Sequence, residues 1–230
     1  FLSAYSSVNQ GHCHPKIVNA MIDQAKTLTL TSRAFHNDQL GRYEQFITSY
    51  FGFDKVLPMN TGAEAVETAL KIARRWGYEV KKLPINKGKI IVCENNFHGR
   101  TTTIISFSND PIARDNFGPY TDGFIKIPYD DINALEIVLN KHDDIAGFLV
   151  EPIQGEAGVY VPADDYLKNA KALCVKHNVL FIADEVQTGI ARTGRLLASC
   201  GNCSCPNKDC SATAEVKPDI LILGKALSGG

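Results

Sequence analysis

The chain has 230 residues, 44% of them hydrophobic, which is enough to bury a sizeable core in one large domain or two small ones. Its 24 Lys and Arg against 25 Asp and Glu give a formal charge of -1, without a block of like charges; that excludes a polybasic surface for nucleic acid or anionic lipid and leaves a small molecule as the expected partner. No apolar run reaches the roughly 20 residues of a bilayer span.

Read in chain order, Phe1-Leu2-Ser3-Ala4-Tyr5 is strand-like and is expected to start in mid-fold, with no basic, apolar leader before it. A cytosolic location is therefore expected, the mitochondrial matrix being the alternative. After Val56-Leu57-Pro58-Met59, the segment Asn60-Thr61-Gly62-Ala63-Glu64 opens a helix in which Ala65, Ala69, Ile72, Ala73 and Trp76 share one face. Thr61 or Asn60 can cap it. Gly62 permits close backbone approach, and the free amides of the first turn suit a dianionic phosphate, although a plain cap is the ordinary reading.

Five short runs follow: Lys89 to Cys93, Phe124 to Ile127, Ala146 to Val150, Val179 to Ala183 and Ile220 to Leu223. They are continuous rather than alternating, as in strands covered on both faces. A second amphipathic stretch starts at Asp164 and carries Tyr166, Leu167, Ala170, Leu173 and Cys174. Strand and helix in succession predict an α/β fold with a mostly parallel sheet flanked by helices.

The cysteines divide into two groups, and their odd total of seven argues against a disulfide framework. Cys13, Cys93 and Cys174 stand in semi-apolar contexts as reduced, small hydrophobes. Cys200, Cys203, Cys205 and Cys210 crowd into the polar stretch 199–215. Four thiolates can hold zinc tetrahedrally, but the spacing is not a pair of C-x2-C knuckles and no histidine is near, so a surface loop is the favoured reading.

Ligands of open α/β sheets gather at the carboxyl ends of the strands. Here those ends carry Asn95 to His98, Glu151, Asp184 to Gln187, and Lys225. Asp184 and Lys225 directly follow near-continuous apolar runs, where an ionisable group is unfavourable unless paired or used. A lysine and an aspartate so placed are the pair that pyridoxal phosphate (PLP) needs, one holding its aldehyde carbon and the other keeping its ring nitrogen protonated. Phe97 can lie on a cofactor ring and Arg100 can clamp a substrate carboxylate, with core packing and a surface ion pair as the ordinary alternatives. Glu151 taken alone reads as a solvated strand end. His12, His14 and His98 have no metal-ligand company and read as packing or loop residues.

Met59-Asn60-Thr61-Gly62-Ala63-Glu64-Ala65, Asn96-Phe97-His98-Gly99-Arg100, Val150-Glu151-Pro152-Ile153-Gln154-Gly155-Glu156, Ala183-Asp184-Glu185-Val186-Gln187-Thr188-Gly189 and Gly224-Lys225-Ala226 together resemble the class-III aminotransferases. The stretches Phe1 to Pro15, Thr29 to Phe35 and Arg75 to Lys81 are similar to the branch of that family that acts on ornithine. The resemblance implies a fold-type I PLP-dependent transferase, incomplete at both ends. Residues 1–30 would lead from the small domain, and 31–230 would form part of the large PLP-binding domain with a Cys-rich insertion at 199–215.

The same resemblance implies that Lys225 carries PLP covalently, Asp184 pairs with the ring nitrogen and Gln187 bonds the ring hydroxyl. Phe97 and Val186 would sandwich the ring, and Gly62 and Ala63 would offer amides to the phosphate. Tyr5, Arg100, Glu151 and Glu156 would face the substrate, Arg100 binding the α-carboxylate of ornithine and Glu156 masking a second arginine downstream. The implied reaction moves the δ-amine of ornithine to 2-oxoglutarate in a homodimer, and the 230 residues alone are expected to be inactive. Acetylornithine or 4-aminobutyrate is the alternative substrate. A non-catalytic scaffold with the cysteine cluster as its site is the remote alternative.

Overall fold

The computed structural model describes residues 3–32, 34–200 and 216–229. Five of the segments rich in Ile, Val and Leu become strands: β1 Lys89–Cys93, β2 Phe124–Ile127, β3 Ile145–Val150, β4 Leu180–Asp184 and β5 Ile220–Ile222. They form one sheet in the order β2-β1-β3-β4-β5, with every neighbouring pair parallel. The expected α/β architecture is present, with strand ends displaced by one residue in β3, β4 and β5. The longer helices are α1 Pro15–Thr27, α2 Leu40–Phe51, α3 Gly62–Glu79, α4 Ile132–Lys141 and α5 Tyr166–Lys176.

Continuous apolar runs suit this sheet because both faces are covered. On one face Ile91, Phe148, Val150 and Phe181 pack with Leu135 and Leu139 of α4 and with Leu167, Ala170 and Cys174 of α5. On the other, Ile90, Val92, Leu149 and Ile182 meet Val66, Ala69, Leu70 and Ala73 of α3. A one-residue slip in register would exchange the two sets, so packing fixes pairings such as Phe148 opposite Phe181 and Asp184 opposite Ile222.

The contact face of α3 is rotated from the expected one. Val66, Ala69, Leu70, Ala73 and Gly77 are buried, whereas Ile72 is 43% exposed and Trp76 only partly covered. Small residues let the helix lie close to β3: a Cβ on Gly77 would stand 3.1 Å from that of Ala146. Close approach thus decides the face over side-chain size.

The strand expected at the opening is instead a turn, Ser3–Ser6, with φ between 42° and 70° at all four residues. Local bonds from the Ser7 amide to the Ser3 and Ala4 carbonyls replace ladder pairing. Cys93 and Cys174 are buried, and burial pushes both thiols up to about 12. Cys13 is exposed, because α1 and the segment before it bury no side chain fully. The four-cysteine segment lies outside the described residues, apart from the backbone of Cys200, which closes a 3-10 turn from Ala198. Among the described residues, no helix is long and apolar enough to cross a membrane.

Candidate active site

Parallel strands bring their carboxyl ends to one edge, and the polar residues after β1, β3, β4 and β5 meet there. After β1 the chain turns on Asn96, whose buried amide donates to the carbonyls of Cys93 and Phe107 at 2.6 and 3.2 Å. This turn sends His98 inward. Its Nδ1 donates to Asp184 Oδ2 at 2.6 Å, with both side chains almost wholly buried. The other oxygen, Asp184 Oδ1, accepts from the Val186 amide at 3.0 Å, so both oxygens of the carboxyl group are fixed.

Burial opposes charge on the His98 imidazole, but the hydrogen bond and charge of Asp184, with Glu151 beyond it, outweigh that and hold its pKa above the ordinary histidine range. His98 is thus a buried residue bonded to Asp184 rather than one without a partner at this edge. Glu151 also departs from its solitary reading as a solvated strand end. It is 6% exposed and accepts the Phe97 amide at 2.8 Å, and burial pushes its carboxyl up to about 7 against the opposing pull of His98.

Because folding raises the Glu151 pKa, its contribution to stability is complete below about 4.5 and is lost as pH rises through about 7. His98 acts in the same direction, since its raised pKa also gives stability that fades with increasing pH. Melting scans of the cofactor-free full-length protein are expected to show a midpoint that falls between pH 5 and 8. Glu151→Gln should flatten that slope; an unchanged slope would show that Glu151 does not titrate in this interval.

Two backbone segments close on Val186. A Cβ added to Gly62 would stand 2.9 Å from Val186 Cγ1, and one added to Gly224 would stand 3.1 Å from it. Glycine at both positions lets the start of α3 and the turn bearing Lys225 approach the loop after β4. Thr61 caps α3 by accepting the Glu64 amide, and the Glu64 carboxylate accepts the amide of Asn60, one residue before the cap. The amides of Gly62 and Ala63, in the first turn, have no acceptor among the described residues. They are open to an anion.

Lys225 opens a 3-10 turn, Lys225–Ser228, in a left-handed conformation with φ 43°. Partial burial lowers its amine pKa, while the charges of Glu156, Asp184 and Glu151 oppose that shift. The Lys225 Nζ makes no hydrogen bond to a described residue. Glu156 lies on an exposed turn closed by paired backbone bonds between Gln154 and Tyr160. In that turn Gly155 faces Gln187, whose Oε1 would be 2.6 Å from an added Cβ. Arg100 is exposed, with its guanidinium 5.1 Å from the Phe97 ring centre. Tyr5 is 60% exposed in the opening turn.

The whole chain, residues 1–230, matches the family Aminotransferase class-III. It belongs to that family, whose members use PLP. Ornithine aminotransferase, mitochondrial, of Drosophila melanogaster is 60% identical over 230 residues, covering all of this chain and 50% of the relative. The ornithine aminotransferase of Toxoplasma gondii ME49 superposes with a TM-score of 0.92 at 53% identity, over 100% of this chain and 52% of that one. A second structure of the Toxoplasma gondii enzyme, crystallised with oxidised glutathione, has partial occupancy of PLP at its active site. The acetylornithine aminotransferase of Elizabethkingia anophelis is 67% identical with a TM-score of 0.83, over 100% of this chain and 53% of that one. The chain thus spans about half the length of the relatives it matches.

Proposed function

We propose that this chain is the cofactor-bearing portion of an enzyme that moves the δ-amino group of ornithine to 2-oxoglutarate, giving glutamate 5-semialdehyde and glutamate. The observation that carries the chemistry is the convergence, at one sheet edge, of Lys225, Asp184 and the open amides of Gly62 and Ala63. The curated relatives carry the choice of substrate. PLP fits the donor set: two free amides for its phosphate, a fixed carboxyl group for its ring nitrogen, and an amine whose pKa is lowered toward the reactive neutral form. When bound, it supplies an electrophilic carbon and an electron-withdrawing ring that stabilises negative charge on the substrate carbon.

The remaining work falls to this chain's side chains. Lys225 Nζ takes the proton from the δ-carbon of ornithine and returns it on the cofactor side, as general base and then acid. Asp184, locked by His98 and Val186, would keep the ring nitrogen protonated when the cofactor is bound. Val186 and Phe97 would hold the ring between them, and Gln187 would bond the ring hydroxyl. The guanidinium of Arg100 receives the α-carboxylate bidentately, which leaves the distal amine as the reacting group. Tyr5 and Glu151 border the substrate space, and Glu156 governs access of the second carboxylate of 2-oxoglutarate.

Residues 31–230 form part of the large domain in this reading, and residues 1–30 lead into it. The working protein has the relatives' full length and is a homodimer, which would cover exposed apolar side chains such as Met21, Leu30 and Phe46. It is cytosolic in this reading, with the mitochondrial matrix as the alternative.

Steady-state kinetics of the full-length enzyme with ornithine, acetylornithine and 4-aminobutyrate tests the substrate. The expected result is the highest kcat/KM for ornithine. Acetylornithine belongs in the comparison because the 67%-identical relative bears its name; a preference for it would overturn the substrate assignment while leaving the chemistry intact.

A further inference from the structure

Beside the reactive edge, the segment before α1 touches both loops that bear the reacting pair. Asn9 Nδ2 donates to the carbonyl of Ile190, in the loop that follows Asp184, at 3.3 Å. The next residue, Gln10, donates through Nε2 to the carbonyl of Ala226 at 3.0 Å. Ala226 immediately follows Lys225. Both contacts are partly buried, and the acceptors lie 181 and 216 positions away in sequence.

The backbone at both contacts is strained. Ile190 is β-branched yet has φ 56°, and Lys225 has φ 43°. Such conformations persist only where surrounding contacts over-determine them. The turn at Lys225 is otherwise held by local bonds, Leu227 N to Gly224 O at 3.0 Å, Gly229 N to Ala226 O at 3.3 Å and Ser228 Oγ to Lys225 O at 3.4 Å, and by burial of Ala226. Ile17 of α1 adds packing, since a Cβ on Gly229 would be 2.8 Å from its Cδ1. Asn9 Oδ1 is buried without a partner, so the polar contact of that side chain is the bond it donates. A flipped amide would set oxygen against oxygen.

We propose that Asn9 and Gln10 are positioning residues that brace the Asp184 loop and the Lys225 turn against each other, fixing how the lysine amine meets the cofactor. The inference rests on the PLP reading above. Gln10 acts on Lys225 through the Ala226 carbonyl, and Asn9 acts on the loop after β4 through that of Ile190. Neither side chain touches the reacting atoms in this role. Loss of either donor frees a strained segment to relax, so the reacting groups drift apart while the substrate pocket keeps its shape.

The test uses the full-length holoenzyme with Gln10→Glu and Asn9→Asp, near-isosteres whose carboxylates cannot donate. With Gln10→Glu, kcat for ornithine is expected to fall roughly tenfold, the equivalent of one net hydrogen bond in the transition state, with KM changed by less than about twofold. The pH at which the Lys225-dependent cofactor absorbance changes should shift as well, a response that a merely structural contact would not give. Gln10→Met, which keeps the length without adding charge, is read in the same way should the glutamate variant not fold. Variants with wild-type kcat and cofactor titration, changed only in melting midpoint, would overturn the inference alone. Wild-type enzyme without a Lys225-dependent cofactor band would overturn the PLP reading, and this inference with it.

Discussion

Replacing Lys225 with alanine is expected to lower turnover of the full-length enzyme by roughly 10⁴-fold or more, since it removes both the covalent anchor and a general acid–base group that by itself contributes about 10²- to 10⁴-fold. The anchoring amine is poised by its setting. Partial burial disfavours the ammonium, the nearby acids oppose that effect, and no described residue ties up Nζ. The same substitution should abolish the visible absorbance of bound cofactor and leave the fold intact, because the lysine makes no side-chain hydrogen bond that the core depends on. Stopped-flow and steady-state assays, with an absorbance scan, check both. A variant that kept its activity and its band would remove Lys225 from the mechanism.

The second large effect belongs to Asp184. Substitution by alanine strips the partner from a buried, nearly inaccessible His98, and truncating one member of a buried charged pair typically costs about 3–5 kcal/mol. Activity should fall by roughly 10²- to 10³-fold, comparable to the loss of one preorganised electrostatic group. Asp184→Asn separates the two effects. Its side-chain oxygen can still accept the Val186 amide, so less stability is lost, yet an amide cannot hold a proton on the ring nitrogen. Kinetics and thermal unfolding of both variants are the measurements. If Asp184→Asn turned over at the wild-type rate, the carboxylate would have no role beyond packing.

Much of this arrangement could be read from residue order. The runs at 89, 124, 146, 179 and 220 became five parallel strands because continuous Ile, Val and Leu segments are stable only when covered on both faces. Asp184 and Lys225 stood out because they follow such runs directly. The bond of His98 is invisible in sequence because its partner lies 86 positions away, and nothing in its neighbours announces a bond to another strand's end. Glu151 likewise gained its character from burial and from the Phe97 amide, both tertiary facts.

The buried face of α3 departs from its spacing for a related reason. Spacing identified an amphipathic helix, but Ala69, Ala73 and Gly77 sit against β3 because they are small, while the larger Ile72 is left outside. The opening segment has the composition of a strand yet has left-handed backbone, since local bonds at Ser7 take the place of a ladder. Asn9 and Gln10 carry no sequence signal of their own. Their role is visible only once the turns at 190 and 226 are seen beside them.

The proposed chemistry requires the side chains at positions 184 and 225 to bracket a single pyridine ring. Borohydride reduction of the purified full-length enzyme, followed by peptide mass spectrometry, asks which amine holds the cofactor. The added mass of reduced pyridoxal phosphate should fall on the peptide containing Lys225. Its recovery on a different lysine, or on none while the enzyme remains active, would contradict the assignment.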